Sequence, residues 1–135
     1  MAMPVKYRDR LKEMCGGQLV LTVDRDRCLL VYPLPEWEEI ARKLVKLPTL
    51  NAQVRRLQRL LVGHASEVEL DSAGRILLPP PLREFAELDK RVTLVGQGNK
   101  FELWNEDLWQ ERRDQWLTED EGEQPLPAEL ESLSL

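Results

Sequence analysis

Asp71-Ser72-Ala73-Gly74-Arg75 places a carboxylate and a guanidinium four positions apart, with a glycine just before the arginine. Asp71 can hydrogen-bond its own backbone two residues on, and Gly74 can supply the positive φ that a tight turn often needs. Arg75 is planar and permanently charged, and on so short a support it can read a phosphate or a guanine edge. The same pentapeptide also fits an ordinary hairpin in which Asp71 and Arg75 form a surface ion pair worth little. A second basic set, Arg55, Arg56 and Arg59, falls at helical spacing. That face is either solvated and ion-paired or a source of phosphate contacts. Cys15 and Cys28 lack a C-x-x-C pair, and His64 is the single histidine. No P-loop, dinucleotide fingerprint, H-E-x-x-H or G-x-S-x-G elbow accompanies them. The expectation is a protein without catalytic residues, metal, cofactor or small-molecule substrate, whose cysteines are free thiols.

The turn needs strands to hold it. Ser66 to Leu70 alternates polar and apolar, and Ile76-Leu77-Leu78 is a short β-prone run stopped by Pro79-Pro80-Pro81. Upstream, Trp37, Ile40, Ala41, Leu44 and Leu47 form a helical stripe that Pro48 should end. A second helix is expected from Asn51, its N-cap, to about Val62, with Gly63 as terminator.

An internal repeat organises these pieces. Cys28 to Trp37 falls on Lys100 to Trp109 at an offset of 72, and Met3 to Asp9 falls on Leu78 to Glu84 at an offset of 75. Each copy reads as a proline, a short helix bearing Arg8 or Arg83, two strands around a turn, then a helix. The strands expected are Gln18 to Val23 and Cys28 to Tyr32, then Arg91 to Val95 and Lys100 to Trp104. Units so small would struggle to bury a core alone, so pairing them into one closed β body is the economical arrangement. Trp37 and Trp109 are repeat-equivalent, which favours packing over an aromatic binding groove for the tryptophans.

Composition is ordinary for a globular chain, with 42% hydrophobic and 32% charged residues. No apolar run approaches the ~20 residues of a membrane span, and no leader pattern opens the chain, which reads as cytoplasmic. The net charge of −5 is uneven: residues 102–135 hold eleven acids against Arg112 and Arg113, leaving residues 1–101 at +4. A mildly basic body with an acidic tail is compatible with DNA. From Glu119 the chain is acidic and proline-broken, with Leu126, Leu130, Leu133 and Leu135 as a weak apolar pattern, and is expected to be disordered or loosely docked.

Taken together, D-x-x-G-R-I-L-L-P at 71–79, V-x-L-V-G-x-x-N-K-F-E-L-W at 92–104, Y-P-L-P-E-W-E-E-I at 32–40 and R-R-L-Q-R-L-L-V-G-H-A-S-E at 55–67 resemble the MraZ family of bacterial transcriptional regulators. The resemblance reaches to about Trp109. It implies tandem AbrB-type swapped-hairpin β-barrel units in a mainly β, α+β fold, ring-like homo-oligomers, and binding to repeated double-stranded promoter DNA. It also implies control of the division and cell-wall gene cluster, including the protein's own promoter, in the bacterial cytoplasm and nucleoid. By position, Asp71, Gly74 and Arg75 inherit the family's DNA-contacting motif. Family members carry that motif in both repeats, and the offset of 75 puts the partner of Arg75 one position before Met1. The expectation is therefore that the first-repeat arm is missing, through a start assigned at an internal methionine or a native shortening.

The organisation expected is a first repeat over 1–35, a helical connector over 36–63, a second repeat over 64–109, and a helix end with acidic tail over 110–135. Besides the turn, Arg55, Arg56 and Arg59 are the candidate phosphate contacts, with solvation or ion pairing as the favoured alternative for that face. The alternative is an antitoxin-like protein-binding module that wraps a basic partner with its acidic tail.

Overall fold

A computed structural model of the chain describes residues 1–119. Helix α1 spans Val5–Cys15, strands β1 and β2 span Gln18–Val23 and Leu29–Pro33, and α2 spans Leu34–Val45. Helix α3, Ala52–Leu57, runs into a π-helical turn over Gln58–Val62. The second half contributes β3 (Ser66–Glu69), α4 (Pro80–Phe85), β4 (Val92–Gly96), β5 (Phe101–Asn105) and α5 (Glu106–Thr118). The fold is α+β. More of it is helical than a mainly β reading suggests, because α1 and α5 run to 11 and 13 residues.

All five strands form one antiparallel sheet in the order β3-β1-β2-β5-β4; β3 and β4 at its two edges do not pair, so the copies share an open sheet rather than the closed β body expected. Its central pair carries the symmetry of the repeat. Leu30 faces Glu102, its own equivalent at the offset of 72, flanked by Leu29 opposite Leu103 and Val31 opposite Phe101. A pseudo-two-fold axis therefore passes between β2 and β5. The aromatic pairs obey it too: Tyr32 and Trp37 stand 5.6 Å apart between ring centroids, and their equivalents Trp104 and Trp109 also stand 5.6 Å apart.

Alternation along the strands sends side chains to two faces. Leu19, Leu21 and Val23 of β1, with Leu29 and Val31 of β2, pack with Met3, Leu11, Ile76, Leu78, Leu82 and Leu103. Val20, Leu30 and Tyr32 turn the other way, onto Trp37, Ile40, Ala41, Leu61 and Val62 of the helical layer. Thr22 shares that second side and donates its hydroxyl to the Leu61 carbonyl at 2.5 Å.

Several sequence expectations shift by a residue or more. The second strands of the two copies start at Leu29 and Phe101, one position later than expected, and β4 starts at Val92. Ile76-Leu77-Leu78 is not a ladder strand. It is extended chain joined to residues 1–3 by a single bridge between Ala2 and Arg75. Helix α2 ends at Val45, with its C-cap Lys46 still in helical conformation, just ahead of Leu47, the residue that Pro48 restricts. Asn51 caps α3 as expected, accepting from the Gln53 and Val54 amides. Gly63, however, is no left-handed terminator. Its φ is −66°, its amide reaches back five residues to the Gln58 carbonyl, and a Cβ there would overlap the Arg59 carbonyl oxygen. A glycine is required by close backbone approach, not by conformational freedom.

Candidate nucleic-acid interface

The turn that follows β3 is fixed by its own aspartate. Asp71 Oδ1 accepts from the Ala73 and Arg75 amides, both at 2.9 Å. The backbone closes the loop with Asp71 N donating to the Arg75 carbonyl at 2.9 Å and Gly74 N to the Asp71 carbonyl at 3.0 Å. Gly74 takes φ +74°, as the turn requires. The amide of Arg75 above all holds the Asp71 carboxyl below its ordinary value, against desolvation, with the Ala73 amide adding to the lowering. No Asp71–Arg75 ion pair occurs among the described residues: Oδ1 is taken by the two amides, and the Arg75 charge acts on the carboxyl only at a distance.

From Gly74 onward burial alternates. Gly74, Ile76 and Leu78 face the core, while Arg75 and Leu77 face solvent, Leu77 at 82% exposure. Arg75 is thus held outward by the apolar residue beside it. The N-terminal segment clamps this stretch from one side. The Met1 amine donates to the Ile76 carbonyl at 2.9 Å, Ile76 N to the Met1 carbonyl at 2.8 Å, and Met3 N to the Gly74 carbonyl at 2.9 Å.

The other basic residues are placed elsewhere. Arg55 Nη1 donates to the Thr49 and Leu50 carbonyls at 2.7 and 3.0 Å, so it ties down the α2–α3 connection. Arg56 and Arg59 are exposed. Their helix packs mainly on the sheet face opposite the one that receives Met3, Ile76 and Leu78, so turn and basic helix do not form one patch. In the sequence Arg8 stands out only as the repeat match of Arg83. Its Nη2 donates to the Met3 carbonyl at 3.2 Å, and its side chain lies against Gly74.

The remaining reactive side chains are engaged locally. Asp24, Cys28 and Glu102 bring donor atoms within 4.8 Å of one another. Burial pushes the Cys28 thiol far above its ordinary range and raises the Glu102 carboxyl, so the thiol keeps its proton and points it at Asp24 Oδ2, 3.8 Å away. A metal would have to displace that proton from a buried site. His64 Nδ1 lies 2.9 Å from the Leu60 carbonyl at the end of the π-helical turn. Trp104, Trp109 and Trp116 form a triangle with centroids 5.6 to 6.0 Å apart, and Trp104 is 1% exposed, which is packing rather than a groove. Among the described residues no helix is long and apolar enough to cross a membrane. The acidic tail, apart from Glu119, and its leucines at 126, 130, 133 and 135 lie outside the described residues, as does the antitoxin-type role that rested on them.

Two copies of one unit share a single antiparallel sheet, and the second carries an exposed arginine on a braced turn: this is a tandem-repeat α+β protein. A family model described as "MraZ protein, putative antitoxin-like" matches residues 1–60 and again residues 61–125. The chain belongs to the MraZ family. It is 67% identical over its whole length to the "Transcriptional regulator MraZ" of Thioalkalivibrio sulfidiphilus, covering 90% of that protein. The proteins of the same name from Halorhodospira halophila and Pseudomonas aeruginosa are 59% and 54% identical, again over 100% of this chain and 90% of theirs. The family is one of transcriptional regulators, not of enzymes.

Proposed function

We propose that this regulator binds double-stranded DNA sequence-specifically through the Asp71–Arg75 turn, with Arg75 reading base edges and Asp71 and Gly74 fixing its backbone. The observation that carries the proposal is the double use of Asp71 Oδ1. By taking the Arg75 amide as well as that of Ala73, it braces the turn from inside and leaves the exposed guanidinium available. A guanidinium so held presents its fork at a fixed angle, which bidentate recognition of guanine demands.

The wider setting follows the family resemblance: paired swapped-hairpin units of AbrB type, assembled as a ring-like homo-oligomer on repeated promoter elements of the division and cell-wall gene cluster, the protein's own promoter included, in the cytoplasm and nucleoid. Several copies of Arg75 on one assembly sum weak contacts through effective concentration. Arg56 and Arg59, across the sheet from the turn, contribute at most general attraction to phosphates.

Mobility-shift titration on the upstream region of its own gene and on a scrambled duplex tests the reading. Arg75→Ala should remove about 1 to 3 kcal/mol of discrimination per contact while leaving secondary structure intact. Arg75→Lys should not restore it, because an ammonium lacks the fork. Arg56→Ala and Arg59→Ala should leave the preference unchanged. Retention of the wild-type preference by Arg75→Ala would overturn the proposal.

A further inference from the structure

The side chain directly beneath the turn belongs to the other repeat. Arg8, on the first turn of α1, fills the space against Gly74: a Cβ built on that glycine would overlap its Nε, Cδ and Cζ. Its Nη2 donates to the Met3 carbonyl at 3.2 Å, and Met3 in turn donates its amide to the Gly74 carbonyl at 2.9 Å. One guanidinium thus touches both sides of the bridge between residues 1–3 and 74–76. Its Nε is buried and makes no hydrogen bond. Leaving a donor unpaired in that way costs free energy, so the group is held there by packing. The repeat supplies a comparison. Arg83, the equivalent of Arg8 at the offset of 75, is exposed and lines a cavity of about 490 Å³ beside Met1 and Ala2. The burial of Arg8 therefore comes from the turn that covers it and not from its place on the helix.

We infer that Arg8 is a positioning residue for Arg75: it sets the height and angle of the Asp71–Arg75 turn from below, so the first repeat aims the DNA-reading arginine of the second. The inference rests on the DNA-reading role proposed for the turn, but its geometric half does not. Gly74 is then needed twice, for its positive φ and for the room it leaves the guanidinium.

The test uses the full chain with Arg8→Ala, Arg8→Lys, Arg75→Ala and the Arg8→Ala/Arg75→Ala double variant. Hydrogen exchange on the free protein should show the Met3, Gly74 and Arg75 amides exchanging about tenfold faster in both Arg8 variants, with exchange in β1 and β2 unchanged. Titrations on the upstream duplex and a scrambled duplex should show Arg8→Ala lowering the preference about tenfold, within the range one bidentate contact controls. Arg8→Lys should do the same, since it keeps the charge and loses the planar shape. Adding Arg8→Ala to Arg75→Ala should change nothing further, because a residue that acts through Arg75 has no effect without it. Equal weakening on both duplexes, full rescue by lysine, or an additive double variant would make Arg8 a phosphate contact and overturn the inference. Unchanged exchange at Gly74 and Arg75 would also overturn it. Should Arg75→Ala keep its preference, the DNA-reading role fails and so does the aiming of a DNA contact, while faster exchange would still mark Arg8 as the support of the turn.

Discussion

At the scale of single residues, the turn works because Asp71 spends its charge on backbone amides. Its native pKa lies below the ordinary carboxylate value, chiefly through the Arg75 amide. The contribution to stability is therefore fully present above the ordinary carboxylate pKa and is lost as pH falls through the lowered native one. Asp71→Asn keeps an oxygen acceptor without the charge. Chemical denaturation across the acid range should find the variant less stable than wild type at neutral pH, with the two converging as Asp71 takes up its proton. A gap that stayed constant to the acid limit would mean that the charge contributes nothing.

Elements are decided by close approaches that residue types alone do not announce. Asn51 caps its helix through its side-chain oxygen in the way its sequence position suggests, and Asn105 does the same for α5. The π-helical turn at Gln58–Val62 has another origin. It aims the Leu61 carbonyl at the Thr22 hydroxyl and brings the Arg59 carbonyl up against Gly63. At a helical φ such as the −66° of Gly63, glycine-to-alanine normally stabilises a protein by about 0.4 to 1 kcal/mol. Gly63→Ala should instead destabilise by about 1 to 3 kcal/mol, because the added methyl meets a backbone oxygen. Urea denaturation would show the sign directly.

At the scale of the whole molecule, each repeat completes the other's sheet. Strand β3 of the second half pairs with β1 of the first, the sheet is continuous across β2 and β5, and residues 1–3 bond to residues 74–76. Residues 1–60 and 61–135 expressed separately should each show little native circular dichroism, and mixing them should restore part of it. The intact described body should unfold in one transition followed by tryptophan fluorescence and by far-ultraviolet signal alike. Independent folding of either half would show that the shared sheet is not what stabilises it.

Sequence by itself determined the repeat, the positions of most of its strands and helices to within a residue or two, the Asn51 cap, the turn at Asp71 to Arg75 and the packing role of Trp37 and Trp104. Those features depend on periodicity, turn chemistry and capping, which are local and therefore written in the order of residues. Tertiary structure alone decided that Arg8 lies against Gly74, that Arg55 is occupied by the Thr49 and Leu50 carbonyls, and that the helical turn after Arg56 packs through Leu61 and Val62 on the sheet face opposite Ile76 and Leu78. Each of these depends on which side chains meet after distant segments pair. A run of arginines on one helix and an arginine on a turn carry no sign in sequence of which face of the sheet each will cover. That choice is made by the alternation of β1 and β2, whose odd and even residues turn to opposite layers.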